Sequence, residues 1–119
     1  LVVDDNEDAA NLLSDLLQSW GYATLVAHDG PSALQLLDSR QVALGLLDIG
    51  LPVMDGYELA QAIHRLPRQG DTPLVALSGY GQERDRRRSR ESGFCEHLVK
   101  PVDIERLAQL LEGLRQTVA

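Results

Sequence analysis

Five short apolar runs, at residues 1–4, 23–27, 42–48, 73–78 and 97–99, alternate with five stretches of helical character. Few folds accept that order. Parallel neighbours in a sheet need a crossover long enough to hold a helix, so the alternation predicts an α/β fold, a five-stranded parallel sheet with helices on both faces. The third and fourth runs are apolar almost throughout, as befits central strands buried on both sides. With 119 residues, 44% of them hydrophobic, the chain suits one domain spanning residues 1–119, and disordered or collagen-like readings drop out.

In the first helical stretch, Ala9, Leu12, Leu13, Leu16, Leu17 and Trp20 recur at helical spacing, with Gly21 as a stop. A second helix is predicted from Pro31, after the Asp29-Gly30 turn, through Ala33, Leu34, Leu36 and Leu37; proline suits a first helical position. The third starts near Asp55, where Glu58 completes a capping-box pattern, and runs through Leu59, Ala62, Ile63 and Leu66 to Pro67. The last follows Asp103 and carries Ile104, Leu107, Ala108, Leu110, Leu111 and Leu114 on one broad face. The fourth is different. From Gly81 to Gly93 there is no hydrophobic side chain, and Arg84, Arg86, Arg87, Arg88 and Arg90 outnumber Glu83, Asp85 and Glu91, so a weakly anchored helix is expected.

Eighteen acids against eleven bases give a formal net charge of -7, which disfavours binding to nucleic acid. Cys95 is the single cysteine, so neither an intramolecular disulfide nor a multi-thiolate zinc site can form, and the reducing cytoplasm is the expected compartment. No apolar run approaches the roughly 18 residues of a membrane-spanning helix, so no membrane contact by this domain is expected. Leu1 is not a starting methionine and the chain opens directly into strand, so a piece of a longer polypeptide is expected.

In an open parallel sheet the strand C-termini and the loops after them form the ligand crevice. Asp4 and Asp5 end the first run, Asp48 the third, Ser78 the fourth, and Lys100, the one lysine, follows the fifth. Three carboxylates at one edge repel one another and raise each other's pKa unless a cation joins them. Mg²⁺ takes oxygen ligands through one or two carboxylates and leaves room for phosphate oxygens. An ammonium suits a phosphate oxygen and a serine supplies a hydroxyl donor, so the set suggests phosphoryl transfer onto an aspartate.

These residues stand in five separated motifs: Leu1-Val2-Val3-Asp4-Asp5-Asn6, Leu47-Asp48-Ile49-Gly50-Leu51-Pro52-Val53-Met54-Asp55-Gly56, Leu77-Ser78-Gly79, Gly93-Phe94 and Val99-Lys100-Pro101-Val102-Asp103. In order and at suitable spacing, they make the chain resemble the receiver domains of two-component response regulators over nearly its whole length. The resemblance implies the sheet order 2-1-3-4-5 of flavodoxin-like folds. It implies that Asp48 accepts a phosphoryl group from a phosphohistidine of a histidine kinase or histidine phosphotransfer domain. It also implies that Asp5, Asp48 and the backbone carbonyl of Gly50 bind Mg²⁺, with Asp4 acting through water, and that Lys100 and Ser78 hold the phosphoryl oxygens. Lys100-Pro101 is then expected to be cis, orienting the lysine. Ser78 and His97 occupy the family's two switch positions; many members have tyrosine or phenylalanine where His97 stands, and an imidazole there could make the switch depend on pH. The fourth helix borders the usual partner surface, a phosphorylation-dependent dimer is one output the family uses, and the ending from His97 to Asp103 resembles receivers carried by hybrid sensor histidine kinases.

Plainer readings compete at each position. An aspartate pair before a helix serves as a cap, Asp48 and Lys100 could form a structural ion pair, and Ser78 alone would be a loop serine. Asp55-Gly56 reads as turn and cap, the arginine cluster as a solvated face. Cys95, His28 and His64 lack metal-site spacing and read as structural or exposed, with Met54 and Trp20 as loop or core. The alternative function is a small Mg²⁺-dependent phosphatase with an aspartate nucleophile, which would place a second acid where Gly50 stands. A flavodoxin-like carrier of FMN ranks last, because Asp4-Asp5-Asn6-Glu7-Asp8 repels phosphate in the absence of metal.

Overall fold

Strand and helix alternate throughout the structure, a computed structural model that describes residues 1–79 and 86–118, the side chains of residues 86, 87, 89 and 115–118 excepted. The order is β1 (Val2–Val3), α1 (Glu7–Ser19), β2 (Val26–Ala27), α2 (Gly30–Leu37), β3 (Gly45–Asp48), α3 (Gly56–His64), β4 (Leu74–Ser78), α4 (Arg86–Glu91), β5 (Glu96–Val99) and α5 (Ile104–Val118). All neighbouring strands pair in parallel, in the order β2-β1-β3-β4-β5. The expected fold class and strand order are both present.

Successive residues of a strand face opposite sides, and the sheet uses both. Val3, Leu47, Leu74 and Ala76 pack with Ala33 and Leu37 of α2 and Leu59, Ala60 and Ile63 of α3. Val2, Leu46, Val75, Leu77 and Leu98 pack with Ala10 and Leu17 of α1 and Leu107 and Leu111 of α5. The central strands β3 and β4 are buried along their whole length.

Helix starts are built from short polar side chains that satisfy otherwise orphaned N–H groups. Asn6 accepts from Ala9 N at 3.0 Å, Asp29 from Ser32 N at 2.7 Å, Asp55 from Glu58 N at 2.9 Å and Asp103 from Glu105 N at 2.9 Å. Each cap follows the C-terminal end of a strand. The chain is thereby turned back across the sheet beside the strand ends.

The strands are shorter than the apolar runs. Residues 23–25 and 42–44 lie outside the ladders because β1 offers only Val2 and Val3 as partners, in register with Val26 and Ala27 on one side and Leu46 and Leu47 on the other. Those apolar residues instead line a cleft at the opposite end of the sheet from the strand C-termini. The third helix stops at His64, and Leu66 closes a tighter turn by donating to Ile63 O at 3.0 Å.

Part of the expected fourth helix, residues 81–85, lies outside the described residues. Its described portion rests against β5. Ser92 is buried beneath it, and Arg88 extends its guanidinium over the ring of Tyr57 at 4.3 Å from the centroid and to within 3.7 Å of an Asp55 carboxylate oxygen. Tyr57 in turn meets Phe94 edge to face, at 6.3 Å between centroids. A helix without apolar side chains is thus tied to α3 through an arginine. We expect Arg88→Ala to change global stability by less than about 1 kcal/mol, yet to speed amide exchange across residues 86–92 relative to β4. Native-state hydrogen exchange measures this; unchanged protection in α4 would show that something other than this guanidinium holds it.

Candidate functional site

Because all strands run the same way, their C-terminal ends share one edge. Asp4 follows β1 and is buried: Oδ1 accepts from Asn6 N at 3.0 Å and Oδ2 from Lys100 Nζ at 2.8 Å. Asp48 ends β3, also buried; Oδ1 accepts from Gly50 N at 3.0 Å, and Oδ2 faces Lys100 Nζ at 3.4 Å. Asp5 is exposed at the rim. One carboxylate oxygen from each of Asp4, Asp5 and Asp48 lies within 4.8 Å of the others, the one such group of three potential metal ligands among the described residues.

The electrostatics of the cluster are unbalanced. Burial pushes the Asp48 carboxyl above its usual pKa and the neighbouring Asp4 charge adds to this, while the Gly50 N–H and Lys100 pull the other way without prevailing. At Lys100 burial favours the neutral amine, but the hydrogen bond to Asp4 and the charges of Asp48 and Asp4 outweigh it and raise the pKa. Three carboxylates against one ammonium leave two formal negative charges. A donor set of oxygens carrying that excess, open to solvent on the Asp5 side, fits a hard divalent cation.

The loop from Asp48 to α3 is held by three local features. Gly56 donates to Ile49 O at 3.1 Å, and a Cβ placed on it would lie 2.5 Å from Ile49 Cα and 2.6 Å from Asp48 O. Only glycine lets the start of α3 come this close. Val53 has a φ of 69°, and Met54 N donates to Pro52 O at 2.7 Å around it, forming a γ-turn. A β-branched residue at positive φ costs about 1–2 kcal/mol, and Val53 is 91% exposed, so its own side chain recovers little of that. Met54 folds back against Gly30, where its Sδ would lie 2.9 Å from an added Cβ.

The two remaining residues singled out from the sequence form a separate pair. Ser78 at the end of β4 and His97 in β5 are both buried, with Ser78 Oγ 2.6 Å from His97 Nε2. The peptide after Lys100 is cis, and Lys100 N donates to Ser78 O at 2.6 Å, joining this pair to the lysine through the backbone. Asp4, Asp5, Asp48 and Lys100 therefore form one cluster, with Ser78 and His97 beside it at the ends of β4 and β5. Gly50 lies in the loop, its N–H on Asp48.

Several contributors were not visible as such in the sequence. Gly56 read only as a turn residue, yet it sets the distance between α3 and Asp48. His28, read as structural or exposed, places Nδ1 3.0 Å from Asp4 O and braces the backbone beneath the cluster. His64 is structural, with Nε2 2.9 Å from Thr72 O, and burial pushes the Cys95 thiol up, away from thiolate chemistry. We expect Gly56→Ala to lower stability by about 2 kcal/mol or more, and to shift the Asp48 and Gly50 amide resonances, because neither clashing atom belongs to a side chain that can yield. Urea denaturation and amide spectra test this; a variant as stable as the parent, with unmoved resonances, would show that the close approach is not required.

The model of the response regulator receiver domain matches residues 1–112. The sensor histidine kinase RcsC of Salmonella typhi is 39% identical over 124 residues, which cover 100% of this chain but only 13% of that kinase. Among solved structures, the receiver domain of NtrX from Brucella abortus superposes with a TM-score of 0.89 at 30% identity, covering 98% of this chain and 97% of that one. The receiver domain of the sensor histidine kinase PA1611 from Pseudomonas aeruginosa PAO1 gives 0.85 at 26% identity, covering 95% and 93%, and holds a magnesium ion coordinated in its active site cleft. With its strand order, its acidic edge and a family match across residues 1–112 in agreement, the chain belongs to the response regulator receiver domains of two-component signalling.

Proposed function

We propose that Asp48 is the phosphoryl acceptor of this receiver. The observation that carries the reading is the placement of its carboxylate, which ends a central strand, is fixed through Oδ1 by the Gly50 N–H, and turns Oδ2 toward Lys100. In the transfer an Asp48 carboxylate oxygen forms a bond to phosphorus as the bond from phosphorus to a histidine nitrogen of the donor breaks. The electron pair of that bond stays on the departing imidazole. Lys100 offers its ammonium to one phosphoryl oxygen, and Ser78 offers its hydroxyl to another.

Asp5, Asp48 and the carbonyl of Gly50 would hold Mg²⁺, with Asp4 acting through water, and the bound ion supplies positive charge against the acids and the transferring group. Its support is the oxygen donor set and the two uncompensated charges. The position two residues after Asp48, where a phosphatase of this kind needs its acid, is glycine. The partner that delivers the phosphoryl group is a histidine kinase or a histidine phosphotransfer domain. We place the domain on the cytoplasmic side of a hybrid sensor kinase, whose parent chain can itself be anchored in a membrane, supported by the kinase relative. Its net charge of -7 argues against direct binding to nucleic acid, and a phosphorylation-dependent pairing of two copies is one mode of output.

Incubation with acetyl phosphate and Mg²⁺, followed by intact-protein mass spectrometry, tests the acceptor. The parent should gain at most one phosphoryl group, and folded Asp48→Ala none. Equal labelling of the two proteins would overturn the assignment, and steady turnover of many phosphoesters per chain would favour an enzyme instead.

A further inference from the structure

The start of α3 has the end of β3 on one side and α4 on the other. Toward β3, Gly56 donates to Ile49 O at 3.1 Å, and an added Cβ would lie 2.6 Å from Asp48 O, so backbone meets backbone beside the acceptor. Toward α4, the two oxygens of Asp55 divide their work. Oδ1 caps the helix by accepting from Glu58 N at 2.9 Å, and Oδ2 faces Arg88 Nη2 at 3.7 Å. The same guanidinium lies over the ring of buried Tyr57, 4.3 Å from its centroid. Arg88 thus grips the first turn of α3 at two points.

We infer that Arg88 is a positioning residue for phosphoryl acceptance, holding the segment between Asp48 and α3 in the form that takes the group. This rests on the reading of Asp48 as acceptor, and Arg88 acts through Asp55 and Tyr57. The segment carries Gly50, whose N–H holds Asp48 Oδ1 at 3.0 Å, and Val53, whose φ of 69° is unfavourable for a β-branched residue. Such a backbone persists only while its surroundings hold it. At one end the ladder to β4 does so, with Asp48 in register with Leu77. At the other end the hold is the first turn of α3, which Arg88 grips. Because Gly56 leaves no slack, a small shift of that turn passes to the backbone of Asp48. Linkage makes the effect mutual: whatever Arg88 adds to the affinity of the acceptor site for its ligand, the bound ligand adds to the hold on α4.

Beryllofluoride with Mg²⁺, titrated into the whole domain, probes the acceptor site. Arg88→Ala and Asp55→Asn should each weaken its binding by about two- to fivefold, the worth of an exposed ion pair and a cation–π contact. The double variant should lose no more than the weaker-binding single variant, because the pair acts as a unit. Asparagine caps a helix as well as aspartate does, so Asp55→Asn spares the cap. The two substitutions change the net charge in opposite directions, so a long-range field would move the two affinities oppositely, whereas loss of the grip lowers both. Arg90→Ala, the same charge change at an exposed position on α4, should bind as the parent does. Amide resonances of Asp48 and Gly50 should shift in Arg88→Ala before ligand is added, and beryllofluoride should slow hydrogen exchange over residues 86–92 more in the parent than in Asp55→Asn. Parental affinity in Arg88→Ala, opposite changes in the two single variants, or losses that add in the double variant would overturn the proposal and leave Arg88 as a tether of α4 alone. Failure of the underlying reading looks different: the parent itself then takes up no beryllofluoride at Asp48. If Arg88→Ala does not fold, Asp55→Asn, with its cap intact, decides.

Discussion

Two buried carboxylates at the end of one sheet share a single ammonium. Lys100 stands 2.8 Å from Asp4 and 3.4 Å from Asp48, and Asp5 adds a third negative charge at the rim. Burying a carboxylate is tolerable when it is paired and hydrogen-bonded, and each buried acid here also accepts a backbone N–H, from Asn6 or Gly50. The excess of two charges remains, and the raised pKa of Asp48, due first to its burial and then to the neighbouring Asp4 charge, shows that these bonds do not fully offset the cost. A site that is over-charged when empty and balanced by a divalent cation is poised to bind an ion together with an anionic group.

Much of the surrounding structure serves that arrangement. Parallel pairing aligns the ends of β1, β3, β4 and β5 so that residues distant in sequence meet. Gly56 draws α3 against the backbone of Asp48, and the γ-turn at Val53 confines strain to an exposed loop next to the acids. Two routes lead outward. One runs through Lys100 N, Ser78 and His97 into β5; the other runs from the loop through Asp55, Arg88 and Tyr57 to Phe94. Both end at α4. That helix has little apolar anchorage of its own, so modest changes at either contact can reposition it.

The fold was largely legible in the sequence, because alternation, apolar central strands and capping residues are local signals that agree with one another. Asp55 and Asp103 act as the caps their spacing announces, and Asp29 caps a helix that begins at Gly30, one residue before Pro31. Strand lengths were not legible. Residues 23–25 and 42–44 are as apolar as a strand requires, but a ladder extends only as far as its partner, and β1 contributes two residues. The acidic cluster could be anticipated from the rule that parallel strands end at the ligand crevice, since Asp4, Asp5, Asp48 and Lys100 all occupy strand ends. The bond between Ser78 and His97 could not. It depends on the register of β4 and β5, and a shift of one residue would have turned the imidazole to the other face. Nor does the sequence reveal that Arg88 covers Tyr57, since a run of arginines has no periodicity to say which one turns inward.

Calorimetric titration of the domain with Mg²⁺ is the most direct measure of the charge imbalance on which the account rests. One ion per chain should bind in the millimolar range, with affinity that falls when Asp5 or Asp48 is replaced by asparagine. No uptake at millimolar Mg²⁺, or uptake indifferent to both replacements, would mean that these acids are held together for some purpose other than gathering a cation.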